Sequence, residues 1–434
     1  MDQQTRERKE AFVSGSGGSS LWTINAAFLG TVLLSHMLRR SLRISRGSLM
    51  LEFLAIVLPI TVACTDWGVQ QSHMLQTILL LSFCCSYYYF RKAPASRQRE
   101  APPKAWVFVT EYRAYLQLIT VASILAVDFT IFPRYFVKTE TYGTALMDLG
   151  VGCFVFSGIP RSDAKARGSR IVNSLKTCAI LLVIGIGRVL STKSLNYQEH
   201  ASEYGVHWNF FLTLSALTLT NTLLAHILSP KLYIPFAAFV LFAYEYSLNN
   251  LGLESYILNA ERVDFLSMNK EGVFSCLGYI SIFYFASGIA NIVFSAPSSG
   301  GKKKSTQKND IMAILSRLSI AFLCFLAVAS ALDFQSYKIS RRMANAGYVV
   351  WIVCTNLALL LFFAFVDALF KDTAGQACLM LEKINRNQLF VFMAGNLMTG
   401  AVNFSMDTLN ATWATAFAVL NSYMLVLCLI AFFV

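Results

Sequence analysis

Apolar runs separated by short polar breaks fill the chain from residue 21 to its end. Reading between the breaks gives runs at 21–38, 49–66, 74–90, 112–128, 143–159, 175–191 and 209–229. Further runs follow at 232–249, 273–295, 310–333, 346–370, 388–405 and 413–433. An α-helix needs about 20 mainly apolar residues to cross the hydrocarbon core of a bilayer. The pattern therefore predicts an all-α, polytopic integral membrane protein with about 13 transmembrane helices. Several runs are shorter than the ~20-residue mark, which calls for tilt or one misplaced break.

The breaks differ in charge. One alternating set holds RRSLRISR (39–46), RKAPASRQREAPPK (91–104), RSDAKARGSR (161–170), GGKKKSTQK (300–308), and Lys371, Lys383 and Arg386. The other set, at 65–73, 128–142, 192–208 and 407–412, is much poorer in Lys and Arg. Basic loops stay in the cytosol, so the N-terminus is expected on the lumenal, extracytoplasmic side and the C-terminus in the cytosol. Arg6, Arg8 and Lys9 near the N-terminus, and Arg341 and Arg342, argue the other way and are outvoted. Residues 1–20 then form a lumenal N-terminal segment, and 21–434 a single multi-span domain. No small-x-small cleavage site follows the first run, so it is read as an uncleaved anchor. The Pro-, Ser-, Gly- and Lys-rich stretches at 91–104 and 296–309 read as mobile cytosolic loops.

Composition agrees. The 434 residues are 56% hydrophobic and 14% charged, against about 25% charged in soluble domains. Mean hydropathy is +0.53. The net charge of +12 would suggest nucleic acid in a soluble protein. Here the cations sit in short loops, so topology explains them and no nucleic-acid partner is expected. Ten cysteines lie mostly within apolar runs and form no CxxC pair, so neither a zinc site nor a disulfide framework is indicated.

Candidate chemistry collects in the loops poor in Lys and Arg. In AVDFTIFPRYFVKTETYGTALMDLGVGCFVF (126–156), Asp128 ends one run, Arg134, Lys138 and Glu140 occupy the loop, and Asp148 lies inside the next run. Ionisable residues at membrane depth are costly and usually face a bundle interior or a wet cavity; the plainer reading is an ion pair tying two helix ends. LNYQEHASEYGVHWNFF (195–211) brings Glu199, His200, Glu203, His207, Trp208 and Asn209 to the start of another run. The spacing of the two histidines does not put them on one helix face, so no metal site is expected. In ERVDFLSMNKEGVFS (261–275), Arg262, Asp264, Lys270 and Glu271 read as a solvated loop. Arg341 and Arg342 are either helix-end charges or a fork for lipid phosphate. Asn396 and Asn403 fit inter-helix hydrogen bonds.

No Walker A, GxSxG or HExxH motif is present. The residues leave a choice between a lipid-modifying enzyme and a transporter. A transporter favours ionisable groups near the bilayer midplane; here they gather at span ends on one side, which favours an interfacial enzyme.

Several stretches carry a family resemblance: RKEAFVSGSGGSS (8–20), TEYRAYLQLIT (110–120), AVDFTIFPRYFVKTETYGTALMDLGVG (126–152), NYQEHASEYGVHWNFF (196–211), NKEGVFSCLGY (269–279), SRRMANAGYVVWIVCTN (340–356) and NQLFVFMAGNLMTGAVNFSM (387–406). In these the chain resembles the inositol acyltransferases of GPI-anchor biosynthesis, the fungal Gwt and mammalian PIG-W proteins. The resemblance implies a multi-pass enzyme of the endoplasmic reticulum membrane. It would move a fatty acyl chain, usually palmitoyl, from acyl-CoA to the inositol 2-hydroxyl of glucosaminyl-phosphatidylinositol, on the lumenal side of thirteen spans. Its partners are palmitoyl-CoA, the glycolipid and the bilayer, with acyl-CoA a co-substrate and no further cofactor. It further implies an acyl-CoA chamber among spans four to seven and twelve, and an Asp and a Lys ten residues apart, here Asp128 and Lys138. The family's pocket is also an antifungal target.

Acyl transfer from a thioester to an alcohol needs a base, oxyanion stabilisation and alignment. No Ser or Cys beside a base is evident, so direct transfer is expected. Lys138 is a candidate base or oxyanion partner, Asp128 a candidate to orient the glycolipid, and His207 the reserve base. Arg134, Asp148, Trp208 and Asn209 are counted as candidate substrate contacts, and Arg113 and Arg188 as candidate partners of the CoA phosphates. A lipid or solute transporter, or a membrane-bound O-acyltransferase with another acceptor, are the alternatives. Oligomeric state and acyl preference stay open.

Overall fold

The computed structural model describes residues 3–44, 48–90, 106–158, 167–194, 201–224, 227–294, 307–332, 337–370 and 378–434. The described residues are helices and connecting loops. Among the described residues, an N-terminal helix, α1 (Gln3–Val13), precedes thirteen further elements, one for each apolar run. These are α2 (Gly30–Ser41, entered through a π-helical Thr23–Leu29), α3 (Leu49–Ala63, with a π-helical turn), α4 (Ser72–Phe90) and α5 (Val107–Ala126). Next come α6 (Leu149–Ser157), α7 (Arg167–Ser194), α8 (Phe210–Leu224), α9 (Tyr233–Asn250) and α10 (Lys270–Phe294). The last four are α11 (Gln307–Ala331), α12 (Ala346–Leu369), α13 (Gln388–Ser405) and α14 (Trp413–Phe433).

Among the described residues, five stretches are long and apolar enough to cross a membrane by length and composition: Ile171–Ser191, Lys270–Phe294, Ile311–Ala331, Ala346–Leu369 and Trp413–Phe433. Leu49–Ala63, Leu146–Ser157 and Phe210–Leu224 are apolar but shorter. The long stretches differ in placement. The apolar window of α12 is 72% buried and that of α10 61%, whereas those of α7 and α11 are 11% and 17% buried. So α12 and α10 are central, while α7 and α11 turn Val183, Leu190, Ile320 and Leu323 outward. An exposed apolar surface of this extent is a membrane surface. Around the centre, α5 packs on α12 and α13, α7 on α8, α9 on α10, and α11 on α12.

Local chemistry sets the element ends that matter for the site. Asn345 caps α12 by accepting the Tyr348 N–H, and Thr412 caps α14 by accepting that of Thr415. Arg134 staples the loop after α5: its guanidinium donates to the carbonyls of Phe132 (3.0 Å), Val127 (3.1 Å) and Phe129 (2.9 Å). The carbonyls left without partners where a helix ends are thereby satisfied.

At the opposite end of the bundle lies a buried ionic layer. Glu111 of α5 pairs with Arg39 of α2 at 3.0 Å, with Arg40 at 3.7 Å, and faces His36 at 3.6 Å. Arg40 also pairs with Asp367 near the end of α12 at 2.8 Å. Arg39 and Arg40 meet the carboxylates of Glu111 and Asp367, with buried Glu52 also within electrostatic reach of Arg39, and this pairing makes their burial tolerable.

The 261–275 stretch departs from the solvated loop expected. Glu271 is fully buried and gripped by Arg262 (2.6 Å) and Arg342 (2.7 Å). Lys270 is 2% exposed and donates to the Ala260 carbonyl. Asp264 instead caps the short helix Phe265–Met268.

Candidate active site

A cavity of about 600 Å³ opens among α5, α6, α7, α8 and α13, within the range usual for ligand sites. These helices correspond to the fourth, fifth, sixth, seventh and twelfth runs of the sequence. Its walls are apolar, with Ile119 and Ile124 from α5, Phe154 from α6, Phe210 from α8 and Phe392 from α13. Its polar rim holds Asp128, Lys138, Arg188, Glu203 and Trp208. An apolar body with charge at one end suits an amphiphile.

A chain of ion pairs positions Lys138. Its ammonium donates to Glu203 Oε1 at 2.7 Å. Glu203, on the short helix Ala201–Tyr204, also faces Arg341 Nη1 at 3.5 Å. Arg341 Nε in turn donates to Asp148 Oδ1 at 2.8 Å. Asp148 closes the circuit by accepting the N–H and hydroxyl of Thr139, the residue after Lys138. Lys138 is thus fixed through both its head group and its backbone. Burial alone would raise the Glu203 carboxyl, but Lys138 and Arg341 outweigh it and hold it at about 2. Lys138 itself is 38% exposed and lines the cavity.

Asp128 lies in the loop two residues past α5 and is 7% exposed. The Asn403 amide, on α13, donates to Asp128 Oδ2 at 2.7 Å. Burial pushes the Asp128 carboxyl up, and Asn403, Lys9 and Arg134 draw it partly back. A carboxylate poised in this direction is a stronger base than a solvated one.

The N-terminal segment completes this wall. Lys9 of α1 donates to Asn403 Oδ1 at 2.7 Å. Phe12 lies under the Arg134 guanidinium, 4.0 Å from the ring centroid. The Gly15 N–H donates to Glu140 at 2.7 Å, and Ser19 and Thr144 exchange hydrogen bonds at 2.6 and 2.7 Å. Gly18 (φ +82°) and Gly143 (φ +126°) allow the two strips to touch: a Cβ on Gly18 would lie 2.5 Å from the Thr144 carbonyl oxygen.

The sequence candidates therefore separate. Asp128, Lys138, Arg188, Trp208 and Asn209 line the cavity. Asn209 does so with its polar atoms engaged: it donates to the Gly185 carbonyl at 2.8 Å and accepts from the Phe211 N–H at 3.0 Å, tying α8 to α7. Trp208 Nε1 donates to Thr213 at 2.9 Å and presents its ring. Arg134 and Asp148 stand behind the rim, holding backbone and Arg341. His207 is outside the lining and is tied by its backbone N–H to Asn269. Arg113, on the second turn of α5, is also outside the lining. Glu199 and His200 fall outside the described residues, as do most of the basic loops. Among the described residues no three His, Cys, Asp or Glu converge as metal ligands. The sequence noted Glu203 only as part of a polar cluster, Arg341 as a helix-end charge or phosphate fork, Asn403 as an inter-helix hydrogen bonder and Lys9 as a topology charge; none was paired with Lys138 or Asp128. Their partners lie 65 to 394 residues away in the chain, which no local spacing reveals.

A helical membrane protein with an amphiphile-sized cavity, rimmed by a carboxylate and an amine, has the layout of a membrane-embedded enzyme of lipid substrates. The GWT1 family model matches residues 5–434. The chain belongs to that family, the inositol acyltransferases it resembles in sequence. It is 35% identical to GPI-anchored wall transfer protein 1 of Aspergillus oryzae, over 98% of this chain and 96% of that protein. The protein of the same name in Saccharomyces cerevisiae is 33% identical, over 96% and 95% of the two chains. The phosphatidylinositol-glycan biosynthesis class W protein of Dictyostelium discoideum is 31% identical, over 100% and 98%.

Proposed function

We propose that this acyltransferase moves palmitoyl from palmitoyl-CoA to the inositol 2-hydroxyl of glucosaminyl-phosphatidylinositol, at the lumenal face of the endoplasmic reticulum membrane. All thirteen helices α2–α14 are read as spans, with α1 lumenal and the C-terminus cytosolic. The observation that carries the reading is the cavity itself: a mainly apolar lining with Asp128 and Lys138 among its polar rim. The acyl chain fits the apolar body, and the thioester then lies at the charged rim.

In this reading the inositol oxygen attacks the thioester carbonyl carbon. A C–O bond forms while the hydroxyl proton passes to the Asp128 carboxylate. The carbonyl oxygen becomes an oxyanion beside the Lys138 ammonium, whose pairing with Glu203 suits a fixed cation better than a base. Collapse breaks the C–S bond, and the proton moves from Asp128 to the departing thiolate. Arg188, on the rim, is the candidate for the CoA phosphates.

The test is mass spectrometry of glycolipid product from purified protein given both substrates. Wild type should yield an acylated inositol, and Lys138→Ala should lose turnover by roughly a hundredfold or more while still binding palmitoyl-CoA. Near-normal turnover by Lys138→Ala would remove it from the chemistry. An inactive wild type that binds acyl-CoA would remove the reaction.

A further inference from the structure

Lys9 is the unexpected member of the site. Glu7 and Arg8 beside it are exposed, whereas Lys9 is 4% exposed and reaches α13 across most of the chain's length. Its ammonium donates to Asn403 Oδ1 at 2.7 Å and approaches the Asn403 carbonyl at 3.5 Å. Thr408 adds a longer contact to the same Oδ1, at 3.5 Å.

An ammonium has only donors. It therefore selects the oxygen end of the Asn403 amide, which leaves the NH₂ end to face Asp128 at 2.7 Å. The two ends of a carboxamide have nearly the same shape. Turned over, the amide would set its oxygen against a carboxylate, acceptor against acceptor. The charged groups that face Asp128 are Lys9 and Arg134, with the Tyr423 phenol also within electrostatic reach. Lys9 in turn faces Asp128 and Asp407.

We propose that Lys9 is a positioning residue for acyl transfer: from the N-terminal helix it fixes the Asn403 amide, which aims an N–H at Asp128 and holds that carboxylate for the inositol hydroxyl. The inference rests on the reading of Asp128 as the base. The N-terminal segment is then part of the active site.

The test uses the full chain in detergent with palmitoyl-CoA and glucosaminyl-phosphatidylinositol, following kcat and KM against pH. Lys9→Met should lower kcat roughly 10–100-fold with KM for palmitoyl-CoA little changed, and Lys9→Arg should restore part of the loss. Removing the cation beside Asp128 should also move the acid limb of kcat/KM to higher pH. Lys9→Met in an Asn403→Leu background should cost little more, because both act along one line. Should Lys9→Met fail to purify, Lys9→Gln keeps an N–H for Asn403 but not the charge, so the acid limb should still move to higher pH. An unmoved acid limb with losses that multiply in the double variant would overturn the proposal. An inactive wild type would instead overturn the acyltransfer reading beneath it.

Discussion

Lys138 owes its orientation to residues it does not neighbour in sequence. Glu203 pins its ammonium, and Arg341 pins Glu203 against Asp148. Glu203→Gln keeps the shape and removes the charge, so Lys138 should wander, and turnover should drop roughly tenfold or more with acyl-CoA binding retained. The same change has a signature in stability. The Glu203 carboxyl sits at about 2 when folded and at 4.5 in its ordinary state. Its contribution is therefore fully present above about pH 4.5 and is lost as pH falls toward about 2. Melting temperature measured across that window should decline in wild type and be flatter in Glu203→Gln. Sequence pointed to Asp128 and Lys138 through the family resemblance, and to Glu203 only as one polar residue in a cluster. What it could not give was pairing: Arg341 lies 138 residues from Glu203, and only the packing of α6, α10 and α12 brings them together.

At the scale of elements, the thirteen apolar runs were legible because hydrophobic burial and lipid exposure demand the same residue types. Charges were read less well than apolar runs. Lys9, Arg341 and Arg342 were counted against the lumenal assignment of their segments. The structure shows each engaged: Lys9 with Asn403, Arg341 with Asp148 and Glu203, Arg342 with Glu271. A count of loop charges cannot register such pairing. The same blind spot made 261–275 look solvated, since a buried Glu271 held by two guanidiniums spells the same letters as a surface patch. Helix contacts are also fine-grained here. A Cβ on Gly272 of α10 would meet the Trp208 ring at 2.3 Å and the Tyr204 carbonyl at 2.6 Å. Gly272→Ala should push the Trp208 ring into the cavity it lines, costing about 1–3 kcal/mol by overpacking. A thermal-shift assay should show the lower stability and a titration the weaker acyl-CoA binding.

Across the whole molecule, charge is stored in two buried layers at opposite ends of the bundle. One, around Glu203 and Arg341, shapes the site; the other, around Glu111, lies far from it and joins α2, α5 and α12. Their failures should differ. Glu111→Ala removes the carboxylate that Arg39 and Arg40 share. Breaking a buried pair in this way costs about 3–5 kcal/mol. The expected result is a sharp fall in monodisperse protein on size exclusion, with near-normal turnover per molecule among the survivors. A selective loss of kcat at normal yield would mean that the layer communicates with the chemistry.

The embrace of Asn403 by Lys9 also carries a timetable. A ribosome makes Asn403 394 residues after Lys9, and chains fold as they emerge. The N-terminal helix must wait beside the 134–144 loop while the remaining helices are threaded into the membrane. Only when α13 arrives does the amide that faces Asp128 gain its anchor. A chain that stops short of α13 lacks Asn403 and also the Phe392 wall of the cavity, so on the proposed reading the carboxylate and the acyl-binding wall are completed in one step.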